Sequence, residues 1–574
     1  MSKDLVNFIK SNIDTVLISF LGFFILAPLA IVNPLNVDWI LDFSGISDLA
    51  FTWLGWVFFK SAPFFQLPFF STPGYGLDGG SNIVFSGSIP LFALIFKPFS
   101  NYLPYDFQYY GIWIYSSIFL HCYFSKKILE IFTNDKILIS LMTVLFVTSP
   151  VFLHRVYIPH IGLLAQWLLL FSIYLLLRKN FCYKVWSINL ALSLLVHGYL
   201  FMFSLILFST DLIIKNKIKL NLDSFKIFYV YFSMLALMFV LGYFSADSGG
   251  ISGGYGYYSM NLNSLINPSG IHFSEWSSIL PNLPTRPLEK FYADYEGFNY
   301  LGLGLLILVP FALFKIDKLI SLLKENRKKT IVILIMMLMV SLMAISNHVG
   351  VGENAYFFGI SSELTSYLSN FRASGRFFWI NYYLIYCFIF LGIAKFYPRR
   401  FAILLLIFAI SFHLYDTKEN IYMIKERFAL SSNYNRAHLD LEKTEYSIFW
   451  KKIADNYKEI NMIYPEVIPT DENIFRLTYF AAKNELKINA GYFARINRDQ
   501  LQNEKIQLNS ILKSGQLNKE VIYVIRDENL WLDLKKRFTG KLYFKEIPIE
   551  KCVFKKICTL RLLSSSELIE GINY

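Results

Sequence analysis

The feature that most constrains this chain is a series of apolar runs punctuated by short stretches rich in Lys and Arg. Runs of roughly 17 to 25 residues can cross a bilayer, and such runs fall at 13–33, 107–124, 137–153, 161–177, 227–244, 298–314, 330–346, 377–394 and, slightly short, 401–415. A further run, 185–214, is too long for one crossing and is broken near its middle by Val196-His197-Gly198-Tyr199, so it reads as two helices. The expected fold is therefore an α-helical polytopic membrane protein of about eleven crossings. Charge agrees with that count: the loops 125–136, 178–184, 215–226, 315–329 and 395–400 each hold a Lys/Arg cluster, as cytoplasmic loops do. With the N-terminus cytoplasmic, an odd number of crossings leaves the C-terminus outside. Read as a single crossing, 185–214 would put Lys215, Lys217 and Lys219 on the wrong side.

Composition enters here as a filter. With 55% hydrophobic and 17% charged residues, the chain is not an ordinary soluble domain. The excess of 54 Lys and Arg over 42 Asp and Glu is accounted for by basic loops, and no nucleic-acid motif is present. No two of the five cysteines have metal-ligand spacing, and Cys552 and Cys558 could close a disulfide across a hairpin. The first apolar run is long and lacks a small-residue cleavage site, so no cleavable signal peptide is expected. From about residue 416 the composition turns soluble. Helical patterns at 446–460 and 501–512 alternate with strand patterns at 462–468, 486–492, 521–525, 541–547 and 553–560. The expected domains are a membrane part over 1–415, with outer loops 34–106, 245–297 and 347–376, and a periplasmic α/β domain over 416–574. That second domain has no phosphate loop or nucleophile elbow and is expected to bind or brace.

The chemistry is expected at the outer face. Asp48 opens an aromatic, apolar stretch, 49–59, read as a helix on the membrane surface. Asp48 is either a helix cap or an acid placed to act on a lipid-borne substrate. Arg372 and Arg376, four apart in FRASGRFFW, would share one face of a helical turn, and guanidinium forks suit phosphate. Arg155 and His160 flank Pro159 as either an interfacial anchor or part of the same anionic pocket. His197 lies at the break in the split helix, as a structural or a substrate histidine. Glu296 would orient a sugar hydroxyl or accept from a backbone donor, with Tyr300 in the same stretch as a further substrate contact, and Asp78 in GYGLDGG is most simply a turn residue. Asp38, Asp42, Arg286 and Asp294 complete the outer polar set.

Five runs, LGWVFFKSAPFFQLPFF, YGLDGGSNIVFSGSIPLFALIFKP, FQYYGIWI, YEGFNYLGLG and FRASGRFFW, together resemble the bacterial membrane family DUF6311, whose organisation is similar to that of GT-C glycosyltransferases. That resemblance implies transfer of a sugar from a polyprenyl-phosphate donor to an envelope glycan, lipid or protein acceptor, in the bilayer of a bacterial inner membrane. It assigns Asp48 as general base and Arg372, Arg376 and Arg155 to the leaving lipid phosphate. No cofactor is required, although a divalent cation bridging Asp48 and phosphate is compatible with the scheme. Where the family pattern has a His one turn after the first acid and a second acid before SIPL, this chain has Thr52 and Gly87. The alternatives from other classes are a flippase for a lipid-linked glycan, which predicts ionisable residues deep in the crossings, and a non-catalytic envelope scaffold.

Overall fold

In the computed structural model, the described residues are 12–41, 48–78, 80–158, 160–215, 222–247, 254–269, 275–287, 294–429, 439–468, 472–548 and 559–569. Asp42, Cys552 and Cys558 lie outside them. The chain divides into two units. One comprises Met1–Asn33, Tyr110–Leu235 and Ser248–Ala429; the other comprises Pro34–Tyr109, Ala236–Asp247 and Leu430–Tyr574.

The first unit is helical, but its apolar runs do not all become long helices. Among the described residues, only Arg327–Ile345 and Ser374–Phe396 are long and apolar enough to cross a membrane. The number rises to four if the bent pairs Lys136–Val147 with Pro150–Tyr157 (45°) and Arg399–Asp416 with Lys418–Ala429 (54°) each count as one. The expectation of about eleven crossings is overturned. Hydropathy registers an apolar run whether or not its backbone stays helical, and several runs here are interrupted. Ala27 is extended before Pro28, and Ser149 precedes Pro150. The break expected at 196–199 is present, with His197 extended between two helices. What remains of 161–177 is an 11-residue helix, Trp167–Leu177. At about 1.5 Å per residue it reaches roughly half the ~30 Å hydrocarbon core. Large apolar side chains are nonetheless exposed in series, including Leu17, Leu21 and Phe24 on Ile13–Leu26 and Leu334, Leu338 and Leu342 on Arg327–Ile345. Surfaces of that kind mark contact with lipid or with another protein.

Nine strands are described: β1 (Ser71–Thr72), β2 (Ser81–Asn82), β3 (His348–Val351), β4 (Asn354–Phe357), β5 (Glu459–Ile463), β6 (Lys487–Ile488), β7 (Val521–Ile525), β8 (Tyr543–Pro548) and β9 (Thr559–Ser564). The β3–β4 hairpin belongs to the first unit. In the second, five strands form a sheet in the order β6-β5-β7-β9-β8, with β6, β5 and β7 parallel and β9 antiparallel to both its neighbours. Parallel neighbours require crossovers, and the helices Glu472–Lys483 and Arg498–Ser514 supply them. Leu508, Leu512, Trp531 and Leu534 fill the core against Val521, Tyr523 and Ile525.

The helix Asp48–Ser61 also belongs to this second unit. Every residue from Leu49 to Phe59 is buried, so it is an internal helix and not one lying on a membrane surface, as a helix apolar all round should be. Phe51 meets Phe475 edge-on at 5.3 Å, Trp53 packs on Tyr105 at 5.6 Å, and Phe58 stacks on Tyr75 at 4.5 Å. Each fully buried side chain of this size contributes roughly 1.5–3 kcal/mol. Buried Lys97 donates to the carbonyls of Phe59, Lys60 and Ala62, answering the unpaired carbonyls of the helix's last turn.

Candidate functional site

In the second unit, half-buried Asp48 is the first residue of its helix, where the helix dipole favours a carboxylate. One turn on, the Thr52 hydroxyl donates to the Ser86 carbonyl at 3.1 Å, and the Ser88 hydroxyl donates to the Thr52 carbonyl at 2.7 Å. A side chain at Gly55 would collide with Ser86 Oγ at 2.4 Å, which is why the 86–88 segment can press so closely on the helix. Gly87 turns with φ +75°, and a Cβ there would stand 3.2 Å from Thr52 Oγ1. Thr52 and Gly87 are thus neighbours in space. Asp78 is exposed, and its backbone N–H donates to Glu504 at 3.0 Å, consistent with a turn.

In the first unit, four of the expected residues converge. Arg155 lies on the helix Pro150–Tyr157, Glu296 in the 3-10 turn Asp294–Gly297, and Arg376 in the 3-10 turn Ser374–Phe378. What joins the two turns is a pair of glycines. A Cβ on Gly375 would sit 2.5 Å from the Gly297 Cα, so only two bare backbones can approach this closely. Asn299 Nδ2 bridges their carbonyls at 2.9 and 3.4 Å. Glu296 and Arg376, one residue from each glycine, are thereby brought face to face.

Arg376 donates to Glu296 through Nε at 2.8 Å and Nη2 at 2.5 Å, and Arg155 donates through Nη2 at 2.6 Å. The Arg155 and Glu296 side chains are only 1% and 5% exposed. Arg155 Nη1 lies 3.1 Å from His160 Nδ1, which is 3.8 Å from Glu296 Oε1. Aromatic faces complete the shell: the Arg155 guanidinium is 5.2 Å from the Trp379 ring and that of Arg376 is 4.9 Å from Tyr199. Burial opposes ionisation of Glu296, yet the two facing guanidiniums outweigh it and hold the carboxyl well below its usual range. Among the described residues, two buried cations meet one anion here, which leaves one net positive charge. An anionic ligand would offset that surplus.

The other expected residues are placed differently. His197 caps the helix Gly198–Ile214 by accepting from the Tyr199 N–H at 3.2 Å. Burial and the nearby Arg376 push its imidazole down to about 3, so it is neutral. Arg372 and Arg376 do not share a helical turn: Ala373, at φ −84° and ψ 66°, separates two short 3-10 segments. Arg372 is half-buried over the Tyr258 ring at 5.5 Å. Tyr300 donates to Asp416 at 3.3 Å, and Asp416 also accepts from the Ile279 N–H at 3.1 Å and from Ser277, so this carboxylate clamps a loop. Sequence reasoning missed Tyr199, Trp379 and the Gly297/Gly375 contact. The available signal was a glycine beside each charge, in Glu296-Gly297 and Gly375-Arg376. Among the described residues, no group of three or more His, Cys, Asp or Glu is arranged to hold a metal ion.

No curated protein and no solved structure matches the chain. Residues 16–418 match the domain of unknown function DUF6311, and residues 449–552 match the DUF6311 C-terminal domain. The two matches cover most of the sequence, and the chain belongs to the DUF6311 family.

Proposed function

We propose that this chain is an integral-membrane glycosyltransferase of GT-C type. It moves a hexosyl or pentosyl group from a polyprenyl-phosphate donor to an envelope acceptor at the outer face of a bacterial inner membrane, where its α/β domain is periplasmic. The observation that supports this reading is the buried Arg155–Glu296–Arg376 constellation with its surplus positive charge. Glu296 engages Nε and Nη2 of Arg376, so Nη1 stands outside that pair. Guanidinium forks of this kind suit a lipid phosphate.

In the reaction, Asp48 takes the proton of the acceptor hydroxyl as its oxygen bonds the anomeric carbon. The bond from that carbon to the phosphate oxygen breaks with inversion, and its electron pair leaves with the polyprenyl phosphate. Arg155 and Arg376 neutralise the departing anion, and Arg372 adds a further guanidinium from the same segment as Arg376. A positioned base contributes about 100- to 10,000-fold, and preorganised donors to a leaving anion are worth roughly 100- to 1,000-fold each.

The test is turnover of polyprenyl-phosphate sugars by the full chain in lipid nanodiscs. Asp48→Asn and Arg376→Lys should each lose transfer and hydrolysis. Unchanged turnover in Asp48→Asn rejects the base. Passage of an intact lipid-linked glycan across proteoliposomes, with no covalent change, would instead favour the flippase.

A further inference from the structure

A second basic cluster in the first unit is distinct from the Glu296 constellation. It gathers at the C-terminal ends of the helices Trp167–Leu177 and Gly198–Ile214 and the N-terminal end of Arg327–Ile345. Lys215 contacts Asp211 at 2.6 Å and donates to the Leu175 carbonyl at 3.2 Å, and Lys329 donates to the Leu177 carbonyl at 3.2 Å. Trp186 holds the other Asp211 oxygen at 2.9 Å. Arg178 and Lys329 are each close enough to Lys215 to repel its charge.

Capping of helix-end carbonyls accounts for the two ammonium groups, but not for Arg178. Its Nε and Nη2 are covered and, among the described residues, meet no acceptor. Covered donors without partners are costly. Among the described residues, three cations gather about a single carboxylate, Asp211, which leaves two positive charges in excess. The helix that begins at this cluster also presents a lipid-like surface. Arg327–Ile345 is long and apolar enough to cross a membrane, only 17% of that window is buried, and Ile331, Leu334, Ile335 and Leu338 are all exposed along it.

We infer that Arg178, Lys215 and Lys329 bind the phosphate of an anionic phospholipid whose acyl chains lie along the exposed side of Arg327–Ile345. Basic pockets at the ends of membrane helices take anionic headgroups in this way. The inference rests on the membrane placement proposed above, but its readout is lipid retention, which is independent of sugar transfer.

The full chain, purified in a neutral detergent, is delipidated and exposed in parallel to phosphatidylglycerol, phosphatidylcholine and inorganic phosphate, with bound lipid counted by native mass spectrometry and the unfolding midpoint recorded. Phosphatidylglycerol should be retained and raise the midpoint, phosphatidylcholine should do neither, and raised salt should weaken retention. Lys329→Gln should reduce retention about fivefold and Arg178→Gln with Lys329→Gln about 25-fold. Arg178→Lys, which keeps the charge, should fall between the native chain and Arg178→Gln, and serves as the folding control. Equal retention of the two lipids, or full retention in the double variant, overturns the inference. A midpoint shift reproduced by inorganic phosphate alone assigns the site to free phosphate and overturns the lipid.

Discussion

Two buried arginine–carboxylate sites share the 3-10 turn Asp294–Gly297 and differ in one respect that decides what each can do. At the first, Arg286 donates to Asp294 through Nε at 2.7 Å and also through Nη2, to the His348 carbonyl at 2.7 Å, and to the Ser259 hydroxyl at 2.8 Å. The Arg286 backbone N–H donates to the second Asp294 oxygen at 3.0 Å. Among the described residues one cation meets one anion, and the guanidinium is engaged in bracing the β3–β4 hairpin. Two residues later, Glu296 faces two guanidiniums, and the site keeps a positive charge. The lesson is that burial and ion pairing do not separate a brace from a binding site. Charge balance and spent donors do.

The sharpest way to break the comparison is to remove one charge from each site. Arg376→Gln should lower sugar transfer by about 100-fold or more, measured as initial rate at saturating donor. The largest stability effect is expected at the brace. Asp294→Asn leaves Arg286 buried without its counter-charge and should cost about 3–5 kcal/mol, read as a lower unfolding midpoint, while the rate per folded molecule stays near native. A large loss of that specific rate in Asp294→Asn would erase the distinction.

Gly375→Ala tests the contact that builds the charged site. Its Cβ would meet the Gly297 backbone at 2.5 Å, so the turns must part, at about 1–3 kcal/mol. Weaker anion binding should accompany the loss of stability. Ala at Gly359, where nothing lies within 4 Å, should change neither.

A pH series sharpens the same point. The Glu296 carboxyl is lowered in the folded state, so its stabilising contribution is complete above the unfolded value of about 4.3 and is lost as pH falls through the lower folded value. Half-buried His197 is lowered as well, so its contribution is complete above about 6.5 and declines as pH falls toward about 3. Acid unfolding of the native chain should therefore begin to steepen below about pH 6.5 and steepen again near 4. Glu296→Gln should remove the second limb only. The smallest effect is expected at the neutral contact in the other unit: Thr52→Ala removes one buried hydroxyl bond at about 1 kcal/mol.

Much of the charged site was legible in the sequence because Arg155, His160, Glu296 and Arg376 are ionisable residues beside apolar runs, where they must find one another. Their geometry was not. The approach of Gly297 to Gly375 links positions far apart in the chain, and the spacing of Arg372 and Arg376 suggested a shared helical face that Ala373 breaks. Val521–Ile525 reads as a strand and is β7, whereas the helix Glu472–Lys483 went unread: it is buried almost throughout, and its polar residues Glu472 and Arg476 pair with each other inside the protein. Hydropathy overcounted the crossings since it is blind to Pro28 and Pro150, whereas the break at His197 was legible. It also could not show that Asp48–Ser61 packs on the α/β domain, because its aromatic partners Phe475 and Tyr479 lie more than four hundred residues away.

The most direct measurement is binding of polyprenyl phosphate, the product without the sugar, to the full chain in nanodiscs, compared among the native protein, Arg376→Gln and Asp294→Asn. Binding should weaken at least tenfold in Arg376→Gln and stay unchanged in the folded fraction of Asp294→Asn. Equal affinity in the native chain and Arg376→Gln would contradict a phosphate site at Arg376.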